Sequence, residues 1–261
     1  MHALFVKEFG FTKTAEIFDN LPVYSLDNYL LVTVKGTILD LEPLAKKYAP
    51  EVYLVASSHK SAAGENAHCV HSTGSWAEAK MGGRPRTLCL CAPLFARAAL
   101  LHLQKTSPLQ FPAQFEVTHH GPSDMNAPVV FVEVGSGENA WNDIAACRRV
   151  CEAILALPEQ KPVAVGIGGT HYTPNFSKQY VLEQYALGHI CPKWAVDALD
   201  VTLLRSAIEM CVPHAQIVLL DWKGLTGEQR MKVTKLCDEL CLPWKKVHEL
   251  KTASSLTITP S

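Results

Sequence analysis

Histidines are the residues in this sequence with the widest chemical capability. The chain has eleven, and six stand in glycine-bearing or turn-like contexts, five of these near the ends of apolar runs: His59, His71, His119, His120, His171 and His189. Neutral imidazoles are common ligands of catalytic metal ions and common proton carriers. Each one alone could be a hydrogen-bonded structural histidine, so their joint occurrence is the signal.

A carboxylate accompanies these histidines. Glu133 lies inside the apolar run Pro128–Ser136, where a charge needs either an ion-pair partner or a metal ion. Imidazole and carboxylate ligands with one open position are the working arrangement of a hydrolytic zinc site. His119 and His120 are adjacent, so in an extended segment they face opposite sides, and we expect at most one to point into a given site.

Two glycine-rich segments add candidate substrate contacts. Val165–His171 resembles a phosphate-binding turn only loosely, and its glycines could equally serve a sharp backbone turn. Met81–Thr87 places Arg84 and Arg86 on either side of a proline. Guanidinium forks suit phosphate oxygens, although a solvated loop with two charges is the alternative.

The elements that must position these residues follow from hydrophobic patterning. Four short runs rich in Val, Ile and Leu are typical of strands buried on both faces: Tyr53–Ser57, Pro128–Ser136, Val163–Gly169 and Ile217–Asp221. Helices are predicted at Pro43–Tyr48, Pro93–Gln104, Trp141–Leu157 and from the capping box at Thr226 to about Cys241. This alternation predicts an α/β fold with helices on both faces of a mainly parallel central sheet containing residues 53–57, 129–134, 163–167 and 217–221.

Composition bounds the organisation of the chain. Its 261 residues, 48% apolar and 19% charged, predict a single domain over residues 1–250 and a loose polar tail over 251–261. The net charge of −1 excludes a global basic field, so any RNA contact needs a local patch. Nine cysteines without a CxxC motif are interpreted as small buried hydrophobes in a reducing compartment. We find no signal peptide and no long apolar run, and therefore expect a cytoplasmic protein with no membrane contact and no obligate protein partner.

Six motifs in this order resemble the archaeal- and plant-type D-aminoacyl-tRNA deacylases: His71-Ser-Thr-Gly-Ser-Trp76, Gly82-Gly-Arg-Pro85, Phe115-Glu-Val-Thr-His-His-Gly-Pro-Ser123, Phe131-Val-Glu-Val-Gly-Ser136, Gly166-Ile-Gly-Gly-Thr-His-Tyr-Thr-Pro174 and Gly188-His189. The resemblance is strong from about Ala56 to Asp200. It implies hydrolysis of the ester between a D-amino acid and the terminal ribose of tRNA, and dependence on zinc. It also implies a three-layer α/β sandwich of the phosphorylase/hydrolase type, related to peptidyl-tRNA hydrolase.

Under that resemblance each candidate residue takes a role. One or two zinc ions would bind among His71, His120, Glu133, His171 and His189, and His119 or His59 would move the proton. Arg84 and Arg86 would hold tRNA, and the substrate would contact Gly168, Gly169, Thr170 and Tyr172. Two alternatives stay open. A zinc aminopeptidase or amidohydrolase would need a denser set of acidic ligands than Glu116, Asp124 and Glu133. A non-catalytic tRNA-binding module would bind tRNA without turnover.

Overall fold

The computed structural model describes residues 1–61 and 64–250, and its fold is mixed α/β with several sheets. The strands are β1 (Thr12–Phe18), β2 (Leu21–Leu26), β3 (Tyr29–Leu31), β4 (Tyr53–Ser58), β5 (Ala67–His71), β6 (Gly74–Ser75), β7 (Thr87–Leu88), β8 (Ala113–Phe115), β9 (Val129–Gly135), β10 (Val163–Ile167), β11 (Ala186–Cys191), β12 (Ile217–Leu220) and β13 (Trp244–Lys246). The α-helices are α1 (His2–Glu8), α2 (Glu42–Lys47), α3 (Pro93–Thr106), α4 (Glu138–Trp141), α5 (Ile144–Ile154), α6 (Gln179–Leu182), α7 (Val201–Glu209) and α8 (Gly227–Glu239).

Two four-stranded sheets form the centre of the fold. The first has the order β4-β9-β5-β8, in which β9 is parallel to β4 and antiparallel to β5. The second has the order β11-β10-β12-β13 and is parallel throughout. All four apolar runs are strands, as predicted. The prediction that one sheet contains them all is wrong, because β4 and β9 lie in the first sheet and β10 and β12 in the second.

The two sheets meet at the short segment that follows β8. There the Val117 N–H donates to the His171 carbonyl (3.0 Å) and the Thr118 N–H donates to the Ile190 carbonyl (2.9 Å). These bonds join the sheets through an irregular segment and not through a continuous ladder. Apolar patterning identifies strands but not their pairing partners. The prediction from sequence therefore assigned the strands of both sheets to a single sheet.

The predicted helices are present with small shifts in their ends. They correspond to α2, α3, α5 and α8, and both hydrogen bonds of the Thr226–Gln229 capping box form at the start of α8. Helices α3 and α5 bury Leu100, Leu103 and Val150 in one core with Val130 and Val132 of β9. This core fixes the strands whose ends carry the histidines.

The predictions made from composition concern the cysteines, membrane contact and the C-terminal tail. All nine cysteines are free and eight are buried, as expected of small hydrophobes. Within the described residues, no helix has both the length and the apolar character that crossing a membrane requires. The tail predicted to be loose, residues 251–261, lies outside the described residues.

Candidate active site

Seven titratable side chains converge where the two sheets meet. They come from the ends of β4 and β5, the segment after β8, the middle of β9 and the loop after β10: His59, His71, Glu116, His119, His120, Glu133 and His171. Six of the seven were singled out from sequence as ligands or proton carriers. Strands from different parts of the chain therefore deliver their histidines to one place, as expected at the ends of buried strands.

The centre of this cluster is a pair of buried carboxylates facing three imidazoles. The Nδ1 atom of His59 lies 3.4 Å from an oxygen of Glu116 and 3.4 Å from an oxygen of Glu133. The Nε2 atom of His71 lies 3.7 Å from Glu133 and 4.0 Å from Glu116. The Nε2 atom of His171 lies 2.9 Å from Glu116, and its side chain is 41% exposed. The partial exposure of His171 places it on the solvent side of the cluster.

Several atoms of this cluster lack the partners that buried polar groups normally have. The Nε2 atom of His71 and both carboxylate oxygens of Glu116 are buried and form no hydrogen bond. Such a group costs about 1–3 kcal/mol and is rare in native proteins, where an ion or water often accounts for it. A bound cation would satisfy all three atoms.

The donor atoms are also close enough to share a cation. Three overlapping sets have ligand atoms within 4.8 Å of one another: His71, His119 and His120; His59, Glu116 and His171; and His71, Glu116 and Glu133. Imidazole nitrogen and carboxylate oxygen are the usual ligands of zinc in hydrolytic sites. The residues present therefore fit a divalent metal ion of the zinc type.

Interactions between opposite charges lower the pKa of a glutamate in the cluster and raise the pKa of two histidines. Burial alone would raise the pKa of Glu133, but the nearby imidazoles of His59 and His71 outweigh it and hold that pKa well below its usual value. Burial lowers the pKa of His71, yet the nearby carboxylates of Glu133 and Glu116 overcome this and raise it. The same balance raises the pKa of His59.

His119 and His120 both face His71, with ring centroids 4.3 Å and 4.7 Å from it. The expectation that at most one of them enters the site is wrong, because His120 has a left-handed backbone with φ of 46° and the alternation of an extended segment does not apply. Burial and the nearby charge of His71 lower the pKa of His120 to about 4. The same two causes hold the pKa of His119 well below its usual value, so both imidazoles are neutral and suited to a metal.

His189 lies apart from the cluster. Its Nε2 donates to the Cys89 carbonyl (3.0 Å), and its Nδ1 lies 3.2 Å from the Thr118 hydroxyl. Both ring nitrogens are thus engaged within a fully buried environment. The structure does not bring His189 into any of the three sets of ligand atoms.

The predicted substrate loop borders the cluster. Gly168 and Gly169 have φ of +110° and +90°, a conformation that a side chain would strain, and they turn the chain sharply after β10. The Thr170 hydroxyl donates to the Tyr172 carbonyl (2.8 Å). The Tyr172 hydroxyl lies 3.0 Å from Nε2 of His59, which connects the loop to the buried carboxylates.

The two arginines of the glycine-proline loop are exposed but paired. Arg84 forms an ion pair with Asp124. Arg86 pairs with Asp200 (2.6 Å) and also donates to the Ala198 carbonyl (2.5 Å). Contact with an RNA phosphate would compete with these internal partners.

Sequence reasoning did not assign two residues that the structure places in the site. Glu116 contacts three histidines, and the Ser57 hydroxyl donates to Glu133. The signal for Glu116 was present, since it stands between Phe115 and Val117 as an acid within an apolar segment. Like Glu133, a buried acid in such a segment requires an ion-pair partner or a metal ion.

Fold and site together define a mixed α/β protein with a buried histidine and carboxylate centre. A family model described as D-aminoacyl-tRNA deacylase matches residues 46–245, and relatives carrying the same name match most of the chain. The chain belongs to the D-aminoacyl-tRNA deacylase family, a family of hydrolases that act on the ester bond of aminoacyl-tRNA.

Two archaeal relatives illustrate the similarity. A D-aminoacyl-tRNA deacylase of Thermococcus onnurineus is 35% identical over 248 residues, covering 91% of each chain. One of Pyrococcus furiosus is 32% identical over 250 residues, covering 92% of each chain. A crystal structure of a conserved protein of unknown function superimposes with a TM-score of 0.83 at 28% identity, covering 93% of this chain and 88% of the other.

Proposed function

We propose that this protein hydrolyses the ester bond of D-aminoacyl-tRNA, releasing the D-amino acid and free tRNA, and that the reaction takes place at the histidine–glutamate cluster. The observation that carries this proposal is the pair of buried glutamates, Glu116 and Glu133, facing His59, His71 and His171. An arrangement with unsatisfied buried atoms is costly to stability and is typical of a reaction centre. The family membership and the names of the relatives support the substrate.

We propose zinc as the cofactor, as one or two ions. His71, His120, Glu133 and His171 were the sequence candidates that lie in the cluster, and Glu116 and His119 add donors to them. A zinc ion bound there would act as a Lewis acid toward the ester carbonyl. His189 leaves the ligand set, because both of its ring nitrogens already have protein partners.

The residues of the chain itself account for proton transfer. His59 stands between the Tyr172 hydroxyl and the two glutamates, and the glutamates raise its pKa, which favours its protonated form. A protonated imidazole at this point can deliver a proton to the departing ribose oxygen, which leaves as the hydroxyl of free tRNA. Glu133 and Ser57 fix the orientation of the cluster through the hydrogen bond between them.

We place the substrate against the loop of Gly168, Gly169, Thr170 and Tyr172, since this loop leads directly into the half-exposed His171. A cytoplasmic location fits nine free thiols, because a reducing compartment keeps thiols in that state. A three-layer sandwich related to peptidyl-tRNA hydrolase stays a prediction for the fold.

Metal affinity is predicted to fall on acidification. His71 must lose its proton to bind a metal ion, and its pKa is raised, so binding is strongest above that pKa and weakens as pH falls through it, by at most about tenfold per pH unit for one displaced proton. Competition with a metal-sensitive dye between pH 8 and 5 measures this. His71→Ala should bind less metal at every pH, whereas the exposed His214→Gln should behave as the wild type. Affinity that is constant over this range would contradict the assignment of His71.

Removal of both loop arginines is predicted to weaken tRNA binding. In Arg84→Ala and Arg86→Ala, each lost phosphate contact should reduce the magnitude of the negative slope of log affinity against log salt by about 0.7–0.9. Filter binding of uncharged tRNA across a salt series measures this slope. Unchanged affinity and slope would assign both arginines to their ion pairs with Asp124 and Asp200.

The test of the proposed function compares substitutions in two of the six motifs. His171→Ala should abolish most release of D-amino acid from tRNA while tRNA binding persists, because its imidazole lies at Glu116. Ser72→Ala should retain activity within about twofold, since the Ser72 hydroxyl donates to the Gly188 carbonyl (3.2 Å) and is not available as a nucleophile. A peptide substrate should not be cleaved. Loss of turnover in Ser72→Ala with the fold retained would refute a serine-independent reaction, and peptidase activity without deacylation would favour the aminopeptidase alternative.

A further inference from the structure

The carboxyl edge of the second sheet carries exposed aromatic and cationic side chains that the reaction itself does not use. Lys193 and Trp194 follow β11, Lys223 follows β12, and His248 follows β13, and all four are exposed. Parallel strands end together at one edge, which is where open α/β sheets bind ligands. This edge, comprising the segments after β10, β11, β12 and β13, is called the acceptor edge below.

The Gly168–Gly169 turn lies between two parts of the acceptor edge. The Lys193 N–H donates to the Gly169 carbonyl (3.0 Å), which holds the end of β11 against one side of the turn. On the other side, a Cβ atom added to Gly168 would lie 3.1 Å from Cβ of Asp221, at the end of β12. Gly169 precedes His171 by two residues, a separation of at most about 7 Å along the chain. A ligand on the acceptor edge therefore adjoins the reaction centre.

Trp194 is a large aromatic residue on the surface, on a helix whose two ends are held by hydrogen bonds. Its side chain is 58% exposed and stands on the 3-10 helix Lys193–Ala198. Gln229 donates to the Lys193 carbonyl (2.9 Å) at one end of this helix, and Arg86 donates to the Ala198 carbonyl at the other. An exposed aromatic ring on an anchored helix is suited to stacking with a nucleobase.

A cavity of about 240 Å³ lies on the opposite side of the turn. Its lining includes Lys178 and Lys223 as cations, Tyr180 as an aromatic and Asp221 as an acid, whose carboxylate accepts a hydrogen bond from Asn175 (3.0 Å). Pockets that enclose a whole small molecule span roughly 300–1,000 Å³. This cavity suits a smaller group projecting from a longer molecule, such as a phosphate.

The lysines of the acceptor edge differ from the arginines of the glycine-proline loop in whether they form ion pairs. Arg84 and Arg86 are held by aspartates. Over residues 1–61 and 64–250, the structure gives Lys178, Lys193 and Lys223 no ion pair. Phosphate contact would require no internal pair to break, so these lysines complement an anionic chain better than the arginines do.

We propose that the acceptor edge binds the single-stranded 3′ end of tRNA, with a base stacked on Trp194 and phosphates contacted by Lys193, Lys178 and Lys223. This inference rests on the proposed function, which requires the terminal ribose to reach the cluster at His171. The nucleotides before that ribose must then cross the surface next to the Gly168–Gly169 turn. Interleaved cations and aromatic rings are the usual way that proteins hold single-stranded RNA.

The test uses full-length protein and two RNA hairpins that carry no amino acid. They have the same stem, but one ends in a four-nucleotide 3′ overhang and the other is blunt. Wild-type protein should bind the overhang hairpin more tightly. Trp194→Ala should weaken overhang binding by about 5- to 100-fold, the range for loss of one base stack, and leave blunt binding unchanged. Trp194→Phe should restore most of the loss. Each of Lys178→Ala, Lys193→Ala and Lys223→Ala should reduce the magnitude of the slope of log affinity against log salt for the overhang hairpin by about 0.7.

Leu109→Ala and Lys105→Ala are matched controls, because both side chains are exposed and follow or end α3, on the first-sheet side of the fold. Equal affinity of wild-type protein for the two hairpins, or unchanged overhang binding in Trp194→Ala, would overturn the inference whether or not the protein hydrolyses D-aminoacyl-tRNA. Overhang binding that depends on Trp194 in a protein that releases no D-amino acid would support the inference and refute the proposed reaction.

Discussion

Replacement of Glu116 by glutamine is expected to lower kcat/KM for D-aminoacyl-tRNA by roughly 10³-fold, equivalent to several kcal/mol of lost transition-state stabilisation. Glu116 lies within 4.0 Å of imidazole nitrogens of three histidines and belongs to two of the three sets of ligand atoms. Glutamine keeps the shape of the side chain and removes its charge. Steady-state kinetics and the metal content of the purified variant measure the effect.

The same variant separates a functional role of Glu116 from a structural one. The carboxylate is fully buried beside three imidazoles, so removing its charge should lower the free energy of unfolding, by at most about 3–5 kcal/mol, and the variant should lose activity while still folded. Urea denaturation measures this. Glu138→Gln, an exposed glutamate in α4, is the matched control and should behave as the wild type in both assays. An active Glu116→Gln, or one that loses activity only because it unfolds, would remove Glu116 from the site.

Replacement of His59 by glutamine is expected to lower kcat by about 10²- to 10⁴-fold, the usual contribution of a positioned general acid. His59 has its Nδ1 toward Glu116 and Glu133 and its Nε2 toward the Tyr172 hydroxyl. The charges and hydrogen bonding of the glutamates raise its pKa against the effect of burial. As the acid, His59 works below that pKa, and wild-type activity should fall as pH rises through it.

The pH profile distinguishes proton transfer by His59 from a positional effect. The alkaline decline should disappear in His59→Gln, with KM little changed. Tyr172→Phe removes only the hydroxyl next to Nε2, and about two- to tenfold lower kcat is expected from one lost hydrogen bond. If His59→Gln keeps the wild-type profile at reduced rate, another residue donates the proton.

Those parts of the site that depend on strand ends could be predicted from sequence. His59 and His171 follow apolar runs and Glu133 stands inside one, which indicates a site near strand ends. Their convergence does not follow from a single parallel sheet, because β5, which ends at His71, is antiparallel to β9, and β10 lies in the second sheet. His189 has a similar sequence context, at Gly188-His189, but it faces the interior. Sequence patterning places a residue on a strand and leaves its final partners open.

Two other features depend on interactions that sequence patterning does not contain. The left-handed conformation of His120 turns both adjacent histidines toward His71, and only the folded backbone reveals it. The division into two sheets arises because the segment Glu116–Thr118 leaves β5 and bonds to the loops and strands of the second sheet. Pairing between distant segments is decided by packing, which hydrophobic periodicity does not specify.

The most direct test measures release of amino acid from D- and L-aminoacyl-tRNA that carry the same amino acid. Three preparations are compared: protein as purified, protein treated with a chelator and dialysed, and chelator-treated protein to which zinc has been added back. The account predicts release from the D-substrate, little from the L-substrate, loss of activity after chelation and recovery with zinc. Full D-specific release by protein whose measured metal content is zero would contradict the metal role of the cluster, and equal release from both substrates would contradict the proposed substrate.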